Sequence, residues 1–274
     1  MQILIATDDS PYAEAALRLS AHLLRGRLAD EPPAILTVIK READRPLADA
    51  ILARAREVLQ IPNLRTRIRV GPAAEEILRE AEEGSYDLLI VGERRDRSLI
   101  TRLLEGSTAM RVAEHAPCPV LVVKGRVGPI RRLLLCDSGA PSRSILSRVT
   151  AQLAELLGGE EEITVLHVMS QISASPDVQG KELQASAEEL IEERAPEGEL
   201  LEWDVQILEQ LHIRPHPQVR HGLVVDEILA EAQSGDYDLV VIGAHPGEGW
   251  QRILLDDLAR EIILHLDRPV LVVR

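Results

Sequence analysis

Phenylalanine is absent from this chain of 274 residues, and only two tryptophans and three tyrosines occur. A core without Phe has to be packed from Leu, Ile, Val and Ala, which a hydrophobic content of 45% can supply. The same scarcity excludes the aromatic platforms on which single-stranded nucleic acids usually stack. Cysteine is nearly missing too. Cys118 and Cys136 sit inside apolar runs, where buried free thiols are expected rather than a disulfide or a metal pair. No run of uncharged apolar residues reaches the roughly 18 that a membrane-spanning helix needs. The opening MQILIATDDS puts acid where a signal peptide carries its apolar stretch. A cytoplasmic location with no membrane partner is therefore expected.

A basic excess is also lacking, since the net charge is −14. Residues 1–127 hold 19 Lys+Arg and 19 Asp+Glu, leaving 12 and 26 of the chain's 31 and 45 for residues 128–274. The first half is neutral and the second carries all the negative charge. Binding of nucleic acid through a basic surface is excluded, whereas a small anion would meet no net repulsion in the first half.

What the chain does have is a repeat. RVGPAAEEILREAEEGSYDLLIVGER from Arg69 is echoed by RHGLVVDEILAEAQSGDYDLVVIGAH from Arg220, so that Gly71 matches Gly222, Tyr86 matches Tyr237 and Gly92 matches Gly243. The ends echo as well (APCPVLVVK at Ala116, LDRPVLVVR at Leu266), and so do the starts (ILIATDDS at Ile3, LLLCDSGA at Leu133). Two tandem domains follow, residues 1–126 and 127–274. In the first, short apolar runs at 3–6, 34–39, 88–91 and 119–123 predict strands, as does the charge alternation at 65–70. Helical spacing covers 10–24, 47–59, 73–83 and 108–115. Buried aliphatic strands alternating with helices predict a doubly wound parallel sheet in each domain. Val38 to Gly71 spans 33 residues, but Val168 to Gly222 spans 54. The extra length includes KELQASAEELIEER, with Leu183, Ala187, Leu190 and Ile191 at helical spacing, so an added amphipathic helix is expected near 178–194.

In such sheets ligands bind beyond the carboxyl ends of the strands. That points to Thr7, Asp8 and Asp9 after the first strand, to Val38 after the second, and to the loop opened by Gly92. The loop closes at Gly106-Ser107-Thr108, where a helix starts. Free N–H groups there suit a phosphate, with hydroxyls adding hydrogen bonds. An ordinary helix cap would use the same residues.

These motifs resemble the universal stress protein family, whose marks are a first strand ending VATDGS, a loop G-x2-G-x9-G-[ST] and a closing APCPVLVV. Here they read IATDDS at Ile5, GERRDRSLITRLLEGST at Gly92 and HAPCPVLVV at His115. The resemblance spans both repeats. It implies two Rossmann-like (adenine nucleotide alpha hydrolase-like) α/β domains, each a five-stranded parallel sheet in the order 3-2-1-4-5. It further implies an adenine nucleotide ligand (ATP, ADP or AMP), with ATP accompanied by a divalent cation, and a stress-response or regulatory role. Asp8 would sit near adenine and ribose, the Val38 backbone would line the adenine pocket, Gly92 would face ribose and phosphates, and Gly106, Ser107 and Thr108 would surround the phosphates. Family dimers join through the closing strand, so an intramolecular pseudo-dimer of the two domains is expected, with a homodimer as a further option.

Arg95 stands where the family has its second glycine, and ten residues rather than nine separate it from Gly106. Arg94, Arg95, Arg97 and Arg102 could compensate by donating to phosphate, or they could form a solvated face paired with Glu93, Asp96 and Glu105. In the second repeat Asp256 and Asp257 hold the Gly-Ser positions, which predicts a ligand-free structural domain. Three classes then compete: a nucleotide-binding stress protein, an enzyme on the same fold, and a degenerate scaffold that binds no nucleotide and works through protein contacts. The enzyme class is disfavoured. Neither S-G-G-x-D-S nor H-x-G-H is present, no catalytic set can be singled out, His245 with Asp256 and Asp257 makes a poor metal set, and the eight histidines fall mostly in helices and in LHIRPHPQVRH.

Overall fold

The computed structural model describes residues 1–24, 31–93, 107–125, 127–137, 161–169, 185–210, 214–243 and 250–273; the side chains of residues 137, 196 and 250–257 lie outside that description. Two compact units emerge from the contacts. Met1–Pro129 forms the first together with Asp267–Val272, and Ile130–Leu266 forms the second.

The first unit alternates strands and helices as the apolar runs predict: β1 (Ile3–Ala6), α1 (Pro11–Leu24), β2 (Ala34–Ile39), α2 (Arg45–Leu59), β3 (Arg65–Val70), α3 (Ala73–Gly84), β4 (Leu88–Gly92), α4 (Thr108–His115) and β5 (Val120–Val123). Strands β1, β2 and β4 pair in parallel around β1, with Ile5 opposite both Ile35 and Ile90. With β3 beyond β2 and β5 beyond β4, the order is β3-β2-β1-β4-β5. Every residue of β1 and β5 is buried, as expected of strands covered on both faces. Outer β3 alternates arginine with Thr66, Ile68 and Val70 and is only half-buried. The segment Asp267–Val272 belongs to this unit through β10 (Val270–Val273), which lies antiparallel to β5 with Leu271 opposite Leu121. It covers an edge that would otherwise expose unpaired backbone groups.

In the second unit, β6 (Arg132–Asp137) lies between β7 (Glu162–Met169) and β9 (Leu239–Gly243), and β8 (Arg214–His221) pairs with β7, all in parallel. Its helices are α5 (Ala187–Glu192), α6 (Pro196–Gln210), α7 (Val224–Ser234) and α8 (Trp250–His265). Within the stretch where the longer second repeat is expected to add a helix, the described residues form α5. A capping box starts it at Ser186, and it ends before Arg194, which takes a positive φ of 53°. Residues 178–184 of that stretch lie outside the description. Leu190 is its fully buried residue. Both cysteines are free and buried. Burial, then the Asp87 charge, pushes the Cys118 thiol up to about 11, so it is inert at neutral pH.

One polar cluster is built twice. Arg69 on β3 donates to Glu80 of α3 at 2.6 Å and also pairs with Glu83, while the Tyr86 hydroxyl donates to the other Glu80 oxygen at 3.0 Å. Arg220, Glu231 and Tyr237 repeat this in the second unit, at 2.8 Å for Arg220 to Glu231 and 2.7 Å for Tyr237 to Glu231, and Gln218 adds a third donor at 2.8 Å. Burial opposes the Glu231 carboxylate. The bonds from Tyr237 and Arg220 nevertheless outweigh it and hold its pKa below the ordinary value of 4.5. Tyr237 moves the other way, up to about 12, through burial and through its bond to Glu231.

A carboxylate with a lowered folded-state pKa contributes stability that is present above 4.5 and is lost as the pH falls through the folded value. Glu231→Gln should therefore cost about 2 kcal/mol at pH 7 and flatten the loss of stability below pH 4.5. Urea denaturation at pH 7 and pH 4 checks this; an equal loss at both pH values would refute it.

Candidate functional site

Parallel strands deliver their following loops to one edge of the sheet. At that edge of the first unit lies a cavity of about 480 Å³, within the roughly 300–1,000 Å³ of small-molecule sites. The end of β1 contributes Ala6, Thr7 and Asp8, and the start of α1 contributes Ser10 to Ala13. Leu36 and Val38 of β2, with Ala73 and Ile77 of α3, form an aliphatic wall. Val91, Gly92 and Glu93 come from the end of β4, and Ser107 to Ala109 from the start of α4.

Local chemistry sets each piece. The Thr7 N–H extends the β1–β2 ladder by donating to the Leu36 carbonyl at 2.9 Å, and the residue is buried. Asp8 is exposed and turns back on its own loop, accepting from the Ser10 N–H at 3.0 Å. The Ser10 hydroxyl in turn accepts from the Ala13 N–H at 3.2 Å and caps α1. Asp9 takes a positive φ of 65°, and Arg54 of α2 reaches it at 3.2 Å and Glu14 at 2.7 Å, tying the loop to two helices. Gly92 is required by contact rather than by dihedral. A β-carbon there would lie 2.3 Å from the Tyr12 carbonyl oxygen, so its absence lets the first turn of α1 rest on the end of β4.

The head of α4 is occupied from within. Ser107 is its N-cap, accepting from the Met110 N–H at 3.1 Å, and the same hydroxyl donates to the Glu93 carboxylate at 2.6 Å. Glu93 is held by the sheet, since its N–H donates to the Val123 carbonyl at 2.8 Å.

Six of the eight residues singled out in the sequence thus line one cavity: Thr7, Asp8, Val38, Gly92, Ser107 and Thr108. Arg95 and Gly106 lie outside the described residues, as do Arg94, Arg97 and Arg102. Sequence reasoning took Glu93 only as an ion-pair partner for the arginines. Its place directly after Gly92 was the available signal, but its bond to Ser107 spans 14 residues of chain. Leu36 and Ile77 were missed as lining because a buried aliphatic residue reads as core. Among the described residues no group of three His, Cys, Asp or Glu side chains is placed to hold a metal ion. No helix among them is long and apolar enough to cross a membrane. In the second unit the side chains of Asp256 and Asp257 lie outside the description.

The sequence profile of the universal stress protein family matches residues 1–124 and again 130–274. The chain belongs to that family. A universal stress protein of Mycolicibacterium smegmatis is 24% identical over 300 residues, covering 99% of this chain and 96% of its own. One from Synechocystis is 34% identical over 125 residues, and that match spans 45% of this chain and 42% of the relative. The crystal structure of a universal stress protein from Archaeoglobus fulgidus superposes with a TM-score of 0.72 at 17% identity, covering 100% of this chain and 96% of that one, a likeness of fold.

Replacing Gly92 with alanine should displace α1 from the end of β4 and cost about 1–3 kcal/mol. The thermal midpoint of Gly92→Ala checks this, and an unchanged midpoint would show that the contact yields without strain.

Proposed function

We propose that this universal stress protein binds an adenine nucleotide in its first unit and acts as a regulatory protein whose loaded state changes its stability or its partners. The observation that carries this reading is the convergence of Thr7, Asp8, Val38, Gly92, Ser107 and Thr108 on one cavity at the carboxyl edge of the sheet. An aliphatic slot of Leu36, Val38 and Ile77 suits a flat base, and the polar rim of Asp8 and Ser10 offers partners for ribose hydroxyls. Gly106, Ser107 and Thr108, with Arg95 from the same loop, are the candidates for any phosphate. On this reading the second unit is structural, catalysis is not its task, and a cytoplasmic stress response is its setting.

ATP with a divalent cation is the ligand that the family motif suggests. When bound, such a cation would neutralise phosphate charge, and the described residues offer it no cluster of their own. The part of the cavity for base and ribose fits. The part for phosphate is described only at Glu93, Ser107 and Thr108, since Gly106 and the four arginines of the loop lie outside the described residues. The Ser107 hydroxyl already donates to Glu93, which favours the second reading, a scaffold that binds no nucleotide.

Heat denaturation of the purified protein followed by chromatography of the released small molecules separates these readings. Adenine nucleotide at no more than one per chain is expected, and calorimetry should return the same stoichiometry. The double substitution Gly106→Asp with Ser107→Asp, which copies the second repeat, should abolish binding. Two nucleotides per chain would refute the asymmetry, retained binding in the double variant would place the site elsewhere, and a melting temperature unmoved by any adenine compound would leave the scaffold.

A further inference from the structure

We propose that the α5–α6 face of the second unit is a docking surface for a basic, amphipathic segment of a partner protein, with Trp203 as its anchor. This goes beyond the nucleotide reading and holds whether or not the first unit carries a ligand.

Helix α6 has two apolar stripes. Leu201 and Leu208 lie on the inner one, at 2% and 0% exposure, and hold the helix to its unit. Leu200, Trp203 and Ile207 follow a second stripe at helical spacing beside the first. Leu200 and Ile207 are half-buried, while Trp203 is 58% exposed. One of the chain's two tryptophans thus stands in water, where its ring forgoes the burial that a core position would give it. Tryptophan is among the residues most enriched as anchors of protein interfaces.

The surface around this ring is preformed. A β-carbon at Gly198 would lie 2.0 Å from the Leu190 carbonyl oxygen, so the first turn of α6 rests directly on the end of α5. The Ala195 N–H donates to that same oxygen at 3.0 Å, and Leu190 is fully buried. Little ordering is then left for a partner to impose on these helices.

The charge of this surface has one sign. Residues 185–210 hold nine carboxylates and a single cation, Arg194. Glu199, one turn before Trp203, and Glu202 beside it are exposed, as are Glu188, Glu192 and Glu193. Helix α2 occupies the same place between the second and third strands of the first unit, and there the charges are matched. Arg45 pairs with Glu42 at 2.6 Å and Arg54 with Glu14 at 2.7 Å. The acid excess on α5 and α6 is therefore no requirement of the fold.

That charge selects the occupant. Nucleic acid or an anionic lipid surface is repelled. A second copy of this chain, meeting through the same face, would set like charges against each other. A segment with arginines beside apolar side chains is attracted on both counts. Its guanidinium groups pair with the carboxylates and stack on the indole, and its apolar side chains cover Leu200, Trp203 and Ile207.

The test is titration calorimetry on the full chain with three synthetic peptides. The first carries arginine and leucine on adjoining helix faces, the second has serine for every leucine, and the third has glutamate for every arginine. The arginine–leucine peptide is expected to bind at one per chain, more tightly than either control, and to weaken as salt rises. Trp203→Ala should lower its affinity by about tenfold or more with an unchanged melting temperature, since the side chain is exposed. Should Trp203→Ala melt differently, Trp203→Gln is read by the same loss. Glu199→Gln with Glu202→Gln should weaken binding and reduce its dependence on salt, whereas Glu57→Gln with Glu82→Gln, at exposed positions of the first unit, should leave both unchanged. No binding of the arginine–leucine peptide, equal binding of the serine control, an affinity unmoved by Trp203→Ala, or equal losses from the two pairs of charge substitutions overturns the proposal. So does a dimer, seen by analytical ultracentrifugation, that Trp203→Ala abolishes, because the face would then belong to a second copy.

Discussion

Parallel pairing on both sides of β1 is the constraint from which the rest of the first unit follows. With Ile5 opposite Ile35 on one flank and Ile90 on the other, all three strands point the same way. Each must then return by a helix across a face of the sheet, and each leaves its next loop at the same edge. The loops after β1, β2 and β4 are brought together by that rule alone, although Thr7 and Ser107 lie far apart in the chain. The cavity between them is a by-product of strand direction, and the residues that line it decide what it can hold.

The two repeats keep different things. Arg69, Glu80 and Tyr86 in one, and Arg220, Glu231 and Tyr237 in the other, form nearly the same buried cluster between an outer strand and the helix that follows it. Such a cluster stabilises only as a set, because removing one member strands a charge or hydroxyl away from water. The chemistry of the ligand edge is under no such rule. There the first repeat carries Gly106-Ser107 and the second Asp256-Asp257, and all the net negative charge falls in the second half. The buried cluster is duplicated, while the Gly-Ser pair of the first repeat is not.

Within the first unit, the head of α4 shows how one short hydrogen bond can recast a motif. A glycine-serine-threonine helix start is a ready receptor for an anion, and here the anion nearest to it belongs to the protein. A distant carboxylate that takes the cap hydroxyl's proton uses a donor that a phosphate would also use, so the fold and a ligand compete for it.

The sequence by itself determined the class of fold and nearly all the element boundaries in the first unit. Aliphatic runs of four to six residues between glycine or acid mark buried strands, and apolar spacing of three and four marks helices, whatever their neighbours. It also determined the tandem repeat and pointed to six residues that do meet at one cavity. Only the tertiary structure decided that Glu93 faces Ser107 and that the first turn of α1 rests on Gly92. Each of those is a contact between segments separated by a loop or by several elements. Local pattern says which face of an element is apolar; which side chain another segment lays against it depends on strand register and helix placement, and these arise only when the whole sheet assembles.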